Sequence, residues 1–537
     1  MNKTLLACAL AAASTFAIGA VSAANIIPVN MNLPGVGLND TTPATPVGGN
    51  PGTTVGEQRR IAYQFAADLW GAVLESDVDI HVRAQFTPLA CEATSGVLGS
   101  AGTRSLHGNF PNAAVQETWY GAALANALAG EDLTPEAGGE EINSNFNANL
   151  GTTGCLETSG WYYGLDGNTP AGRINFLDVV MHEIGHGLNF QGFYNLATGA
   201  PNGGYPDIYS SNIRDNITGL DWIAMTNAQR MAAATGGGLV WTGAQVTDEV
   251  PMALAPKIEL TAGGGVSGTF LYGTAAFGPA PTPANFSGAL VLVNDGSATP
   301  NQGCAASPAN AYAGKIAIVD RGTCAFEIKA RLAQDAGAVA VVVANNTAGV
   351  IQMADDATVA ATVPTISVSQ ADGATLKAGI PGVTVALTEV EGAFAGTDDA
   401  GRALMYAPAT LAQGSTFSHF DISHTPNALM EPSINQDLDS NFRLDLTPAL
   451  YQDLGWTVNA GNATTNGGTC NTGVPAVEGV GLIGGANLQA ADSLCRDTHG
   501  GGTAAYRSCI APFVNRLREL GFVPRSKASA VTFCTKR

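Results

Sequence analysis

The chain has 537 residues and a formal net charge of −20, with only 13% charged residues, 66 glycines and nine cysteines. An acidic balance of this size repels nucleic acid and anionic lipid surfaces, so neither is expected as a partner. Its plainer consequence is solubility.

The first residues, MNKTLLACALAAASTFAIGAVSA, carry a lysine near the start, an apolar stretch and a small-residue finish at Val21-Ser22-Ala23. This pattern predicts a secretory signal peptide over 1–23, hence a secreted, extracellular protein. The apolar core is too short for a stop-transfer helix of about 20 residues, so no membrane anchor is expected after signal removal. Eight cysteines then remain, an even number that favours disulfides in an exported chain. Their clustering suggests Cys91 with Cys155, Cys304 with Cys324, and a set of four from Cys470 to Cys534. Zinc held by cysteines is the poorer alternative, because no C-x-x-C pair is present.

Residues 24–56 are rich in Pro, Gly and Thr and predict an extended or mobile lead-in. From Glu57 to Trp70 the spacing of Ile61, Phe65, Leu69 and Trp70 predicts a helix, and Asp79 to Phe86 alternates as a strand. Ile142, Ser144, Phe146 and Ala148 mark a second alternating segment. The next element carries the chemistry. His182-Glu183-Ile184-Gly185-His186 is an H-E-x-x-H sequence, inside an apolar stripe of Phe176, Leu177, Val180, Met181, Ile184 and Leu188 that predicts a buried helix. Residues i and i+4 share one helix face, with Cβ atoms about 5–6 Å apart, so both imidazoles reach one Zn²⁺ at about 2.0–2.1 Å. Glu183 is then placed as the general base for an attacking water. The bland alternative is two histidines and a glutamate satisfied within a helical core.

A third protein ligand is needed, and the sequence narrows it by elimination. No glutamate follows Glu183 until Glu249, so a glutamate ligand on the next helix is excluded. The compact pattern H-E-x-x-H-x-x-G-x-x-H fails as well: Asn189 stands at its glycine and Gly192 at its last histidine. Asn189 is a mild departure, because Asn follows Gly most readily into left-handed backbone. Beyond Gly192 only His419, His424 and His499 remain.

Between about Val250 and Val390 the texture changes to short Val, Ala and Ile runs separated by Gly and Pro. GKIAIVDRGTCAFEIKARLAQDAGAVAVVVANN and TVPTISVSQADGATL resemble a protease-associated (PA) domain, with strand, turn, helix and strand in that family's order. Lys315 to Val319 and Val339 to Val343 read independently as buried strands flanking a helix that begins near Ala325. Such a domain would gate substrate or bind a partner, or serve as a passive spacer. Residues 419 to 432, HFDISHTPNALMEP, resemble the distal zinc-binding segment of leishmanolysin-type metzincins, in which a histidine precedes the Met-turn methionine by eleven residues, as His419 precedes Met430. The resemblance implies His419 as third ligand, displaced by an insertion, and Met430 as an apolar floor, a place that suits its adaptable thioether. His424 is the competing ligand. The resemblance further implies that the strand near Ile142 is an edge strand pairing with extended substrate.

Asp437, Asp439 and Asn441 resemble the start of a calcium loop, but Phe442 and Pro448 stand where an EF-hand needs Gly and Glu, so Ca²⁺ is a minor expectation. DLTPALYQDLGW predicts a closing helix. Residues 460–475 predict a linker, and Ala511 to Leu520 a short amphipathic helix. The segment 490–537 carries eight Lys or Arg against three acids. A solvated basic face is the ordinary meaning of such a run, and docking is the alternative.

The expected organisation is therefore a signal peptide (1–23), a lead-in (24–56), the first segment of a catalytic domain with the zinc helix (57–249), an inserted PA domain (250–393), the second catalytic segment with the third ligand and Met-turn (394–459), a linker (460–475) and a cysteine-rich basic tail (476–537). The fold class is α+β and metzincin-like, interrupted by an α/β, β-rich PA domain. The expected function is a secreted metalloendopeptidase acting on protein or peptide substrates, with one catalytic Zn²⁺ on His182, His186 and His419 and Glu183 as base. Two alternatives remain: an inactive secreted binding protein, separated by zinc content and a casein assay, and a PA-domain aminopeptidase, separated by whether cuts are internal. His81, His107 and His499 have no motif around them.

Overall fold

The computed structural model describes residues 23–536 except 137, 357 and 436. The predicted signal peptide lies outside the described residues apart from Ala23. Two compact units are present: Leu254–Gly401 forms one, and the chain before it together with Arg402 onward forms the other. Among the described residues no helix is long and apolar enough to cross a membrane.

The larger unit is built on a four-stranded sheet of β1 (Ile26–Asn30), β2 (Ile80–Thr87), β3 (Gly99–Thr103) and β4 (Ile142–Asn147), in the order β1-β2-β4-β3. β1, β2 and β4 run parallel, and β3 joins antiparallel, with Gly99 opposite Phe146 and Thr103 opposite Ile142. β2 alternates buried and half-buried residues along its whole length, the period of a strand with one face on a core. Of the two expectations for the lead-in, extended or mobile, the structure shows the extended one: its Ile26–Asn30 segment is the sheet's outer strand, and Thr54 with Glu57 closes a capping box on α1 (Val55–Val73). The strand at Ile142–Asn147 is interior rather than the expected edge; the edges are β1 and the glycine-rich β3.

Against this sheet lies α2 (Phe176–Gly187), every residue of which is buried. Asn175 starts it, its side chain accepting from the Leu177 amide. Phe176 anchors that end among Phe146, Phe86, Trp161 and Tyr163, with ring centroids 5.0 to 5.5 Å away. Three aromatic donors then tie carbonyls along the helix: Trp70 Nε1 to Met181 (3.0 Å), Tyr451 Oη to Gly185 (2.7 Å) and Trp456 Nε1 to Leu188 (2.9 Å). Tyr451 belongs to α3 (Thr447–Leu454), the expected closing helix. Gly185 and Gly187 permit this packing, since a Cβ would lie 2.8 Å from Met430 Sδ at the first and 2.3 Å from the Ile142 side chain at the second.

Residues 460–475 are no linker. Asn462–Thr465 and Cys470–Pro475 pair as a hairpin, which Cys470–Cys534 ties to the last helix. Cys495–Cys509 joins Gly484–His499 to Ala504–Glu519, a helix that starts seven residues earlier than the apolar pattern from Ala511 suggests. Cys91–Cys155 is the remaining bridge of this unit.

In the inserted unit, β5 (Ser287–Leu292), β6 (Ile316–Asp320), β7 (Ala340–Ala344) and β8 (Thr365–Val368) form a parallel core inside an eight-stranded mixed sheet. β6, β7 and β8 are nearly continuous buried runs, as parallel strands covered on both faces require. α4 (Phe326–Asp335) connects β6 to β7, and Cys304–Cys324 closes the loop before it.

Candidate metal centre

H-E-x-x-H delivers its imidazoles as helical spacing dictates. His182 and His186 project from one face of α2, and His419 reaches them from the distal segment. The three Nε2 atoms lie 3.1 Å (His182 to His186), 3.2 Å (His186 to His419) and 3.3 Å (His182 to His419) apart. Three Zn–N bonds of about 2.0–2.1 Å at near-tetrahedral angles place the nitrogens about 3.3 Å apart, so the constellation fits one zinc ion.

The second ring nitrogens explain why the first ones converge. His182 Nδ1 donates to the Leu429 carbonyl (2.8 Å), His186 Nδ1 to Phe190 (2.8 Å) and His419 Nδ1 to Ser415 (2.7 Å). With each proton held on Nδ1, all three Nε2 atoms are acceptors, and three lone pairs face one another in a buried place where a single cation satisfies all of them. Burial pushes the His182 pKa down to about 4 and, with His182 beside it, that of His186 down to about 3. His419 falls well below its ordinary value through burial and then its two neighbours. Neutral imidazole is the form that binds metal.

Asn189 organises the His186 contact. It adopts φ +90°, the left-handed conformation expected of it. The helix ends in the turn this makes, with the Phe190 amide returning to the Gly185 carbonyl (3.2 Å) and the Phe190 carbonyl left facing His186. The distal segment is held by Tyr406 N to His419 O (2.9 Å) and Phe420 N to Met430 O (2.9 Å). Met430 is fully buried with its sulfur against Gly185, between the two helical histidines in sequence. His424 is also buried, but its ring packs on Phe420 with centroids 5.0 Å apart and it stands outside the triad.

Glu183 lies against the edge strand β3. A Cβ at Gly99 would sit 2.6 Å from its Oε1. Burial raises its carboxyl to about 8, against a lowering by the Ala101 amide, and a dipositive ion beside it acts in the lowering direction too. Two cavities meet at the triad's His186. One of about 630 Å³ holds His182, Glu183, His186 and His419, and one of about 970 Å³ runs past Gln191 to Pro201; both include Ala101, His186, Gln413 and Gly414. Glu431 lines the first.

Two features leave little mark on the sequence. The carbonyls of Phe190, Ser415 and Leu429 leave no mark on residue type. Alternation marks Ile142–Asn147 as a strand but not its place in the sheet, and the resemblance puts the edge at the wrong strand, although the glycine and small residues of GVLGSAGT are a signal for close backbone approach. Calcium gains no support: Asp437 accepts from Asn427 Nδ2 (2.6 Å), Asn441 Nδ2 donates to the Leu165 carbonyl (2.6 Å), and the one group of three clustered His, Cys, Asp or Glu side chains among the described residues is the histidine triad.

Comparison with known proteins gives one family match and several partial likenesses. The sequence matches no curated protein. Solved structures that share some of the chain include a zinc aminopeptidase from Bacillus subtilis, at 18% identity over 27% of this chain and 36% of that one, TM-score 0.19. An aminopeptidase from Aneurinibacillus sp. strain AM-1 has 21% identity over 27% and 37%, TM-score 0.20. A subtilisin-like protease from Pseudoalteromonas sp. AS-11 has 22% identity over 28% and 35%, TM-score 0.18. This chain thus covers little more than a third of each, and likenesses this partial carry no argument. Residues 286–376 match the PA domain family. The inserted unit therefore contains a PA domain, as the pattern of its strands leads one to expect.

Proposed function

We propose that the chain is a secreted zinc-dependent endopeptidase of metzincin-like type, with His182, His186 and His419 as ligands and Glu183 as general base. The convergence of three Nε2 atoms, each with its Nδ1 proton held by a backbone carbonyl, carries this proposal. Zinc bound there would polarise the scissile carbonyl and lower the pKa of water from 15.7 toward about 7. Glu183 takes the proton of the attacking water and passes it to the leaving amine nitrogen. Its position between β3 and the triad puts it beside a substrate backbone laid along the open edge of β3. Met430, behind Gly185, and the aromatic ties to α2 keep the helical ligands rigid, and rigid ligands lower the reorganisation needed during reaction.

Internal cleavage is favoured over aminopeptidase action by a second cavity that adjoins the metal cavity at His186, room for a chain to continue beyond the scissile bond. Four disulfides are consistent with export. The test pairs zinc content with casein digestion and fragment sequencing for wild type and Glu183→Gln. The expected result is one zinc in both, internal cuts by wild type and at least a hundredfold slower turnover by the variant. Near-full activity in the variant would refute the role of Glu183, and release of N-terminal residues alone would refute the endopeptidase.

A further inference from the structure

The PA-domain unit holds a buried cation that the proposed peptidase does not use. Lys329, in the first turn of α4, is 0% exposed. Its Nζ lies 2.7 Å from the Gln302 carbonyl, 3.3 Å from Cys304 Sγ and 3.4 Å from Cys324 Sγ. Two of the three acceptors around this ammonium are therefore disulfide sulfurs, which accept hydrogen bonds weakly. A fully buried ammonium normally demands a charged or strong partner. The carboxylates that act on it are Asp320 and Asp295, but Asp320 is ion-paired with Lys377 at 2.5 Å, and Asp295 accepts the amides of Cys304 and Ala305 at 2.9 and 3.0 Å. The cation is thus poorly compensated while the sulfurs are joined. A thiolate in the same place would compensate it directly.

We propose that Cys304–Cys324 is a reactive disulfide, a thiol-exchange site for small thiols and dithiols, whose leaving thiolate on Cys324 is stabilised by the Lys329 ammonium. The two cysteines differ in a way that sets the direction. Cys324 immediately precedes Ala325, the N-terminal cap of α4, so the helix's positive end adds to the lysine. Cys304 has the Asp295 carboxylate on its own amide, and a thiolate there is disfavoured. A thiolate R–S⁻ attacks Cys304 Sγ: the Sγ–Sγ bond breaks, an R–S–Sγ bond forms, and the electron pair leaves on Cys324. A second R–S⁻ then displaces Cys304 and departs as R–S–S–R. Two electrons have passed from two thiols to the protein, whose cysteines end as thiols after taking up the protons. Burial lowers the Lys329 pKa to about 8, so at pH 7 the amine stays mostly protonated and acts only as the counter-charge. Both cysteines are half-buried rather than enclosed, so a small thiol has access.

The full chain is treated with limiting dithiothreitol or glutathione at pH 7, trapped with iodoacetamide, and the four disulfides are followed separately by peptide mass spectrometry. In wild type Cys304–Cys324 opens first. Lys329→Met slows its reduction about tenfold, Lys329→Arg retains the wild-type rate within a factor of about three, and the other three bridges are unaffected. Equal rates for wild type and Lys329→Met overturn the proposal. Should neither variant fold, alkylation of reduced wild type as a function of pH decides: a Cys324 midpoint below the usual thiol value of about 8.5 supports the site, and an ordinary midpoint overturns it.

Discussion

Gly99→Ala separates catalysis from folding and from metal binding. The added Cβ would stand 2.6 Å from Glu183 Oε1 and 2.9 Å from its Cδ and Cγ. Non-bonded atoms prefer about 3.5–4.0 Å, so the carboxylate must retreat by roughly 0.6–0.9 Å. Glu183 is a flexible side chain with the cleft beside it, and Gly99 lacks a left-handed φ, so retreat costs little stability. A displacement of about 1 Å at a reacting group lowers rate by roughly a hundredfold. The expected outcome is a kcat about a hundredfold below wild type on a quenched internal peptide, with unchanged zinc content and a melting temperature within about 3 °C of wild type. A variant that turns over normally would refute the placement of Glu183 between β3 and the metal. Loss of zinc along with activity would refute its independence from the ligands.

Asn189→Val places a β-branched residue at φ +90°, a cost of about 1–3 kcal/mol, and moves the Phe190 carbonyl off His186; zinc affinity by competition with a chelating dye is expected to fall about 10- to 100-fold, while Asn189→Gly, free at that φ, stays within about threefold. Asp178 is buried against Ser440, and burial raises its carboxyl to about 7. The folded state then holds the proton more tightly than the unfolded one. This contribution is fully present below the ordinary value of 3.8 and is lost as pH rises through about 7. Asp178→Asn, which keeps an oxygen for Ser440, is expected to gain stability relative to wild type between pH 5 and pH 8 in denaturant titrations, and a difference independent of pH would contradict the assignment.

What can be read from the sequence follows from locality. The α2 stripe and its histidine pair are fixed by a 3.6-residue period, and the left-handed Asn189 by the conformational habits of one residue type. Cys91 with Cys155 and Cys304 with Cys324 are joined as their clustering suggests. Strand order is not local. Ile142–Asn147 looks like any half-buried strand, and only its partners β2 and β3 make it interior. The same holds for His419 and His424, which share one loop: pairing of Met405 with Phe420, and of Tyr406 N with His419 O, turns the first toward α2 and leaves the second packed on Phe420. The hairpin at 460–475 hides behind a run of Asn, Gly and Thr, because what holds it is distant in sequence: the bridge to Cys534 and hydrogen bonds to Gln489 and Asp492 of the Gly484–His499 helix.

Metal analysis by mass spectrometry of wild type, His419→Ala and His424→Ala, each dialysed against zinc and then against buffer, tests the central claim most directly. One zinc per chain is expected in wild type and in His424→Ala, with little retained by His419→Ala. Retention of a full zinc by His419→Ala, or its loss from His424→Ala alone, would contradict the assignment of the third ligand.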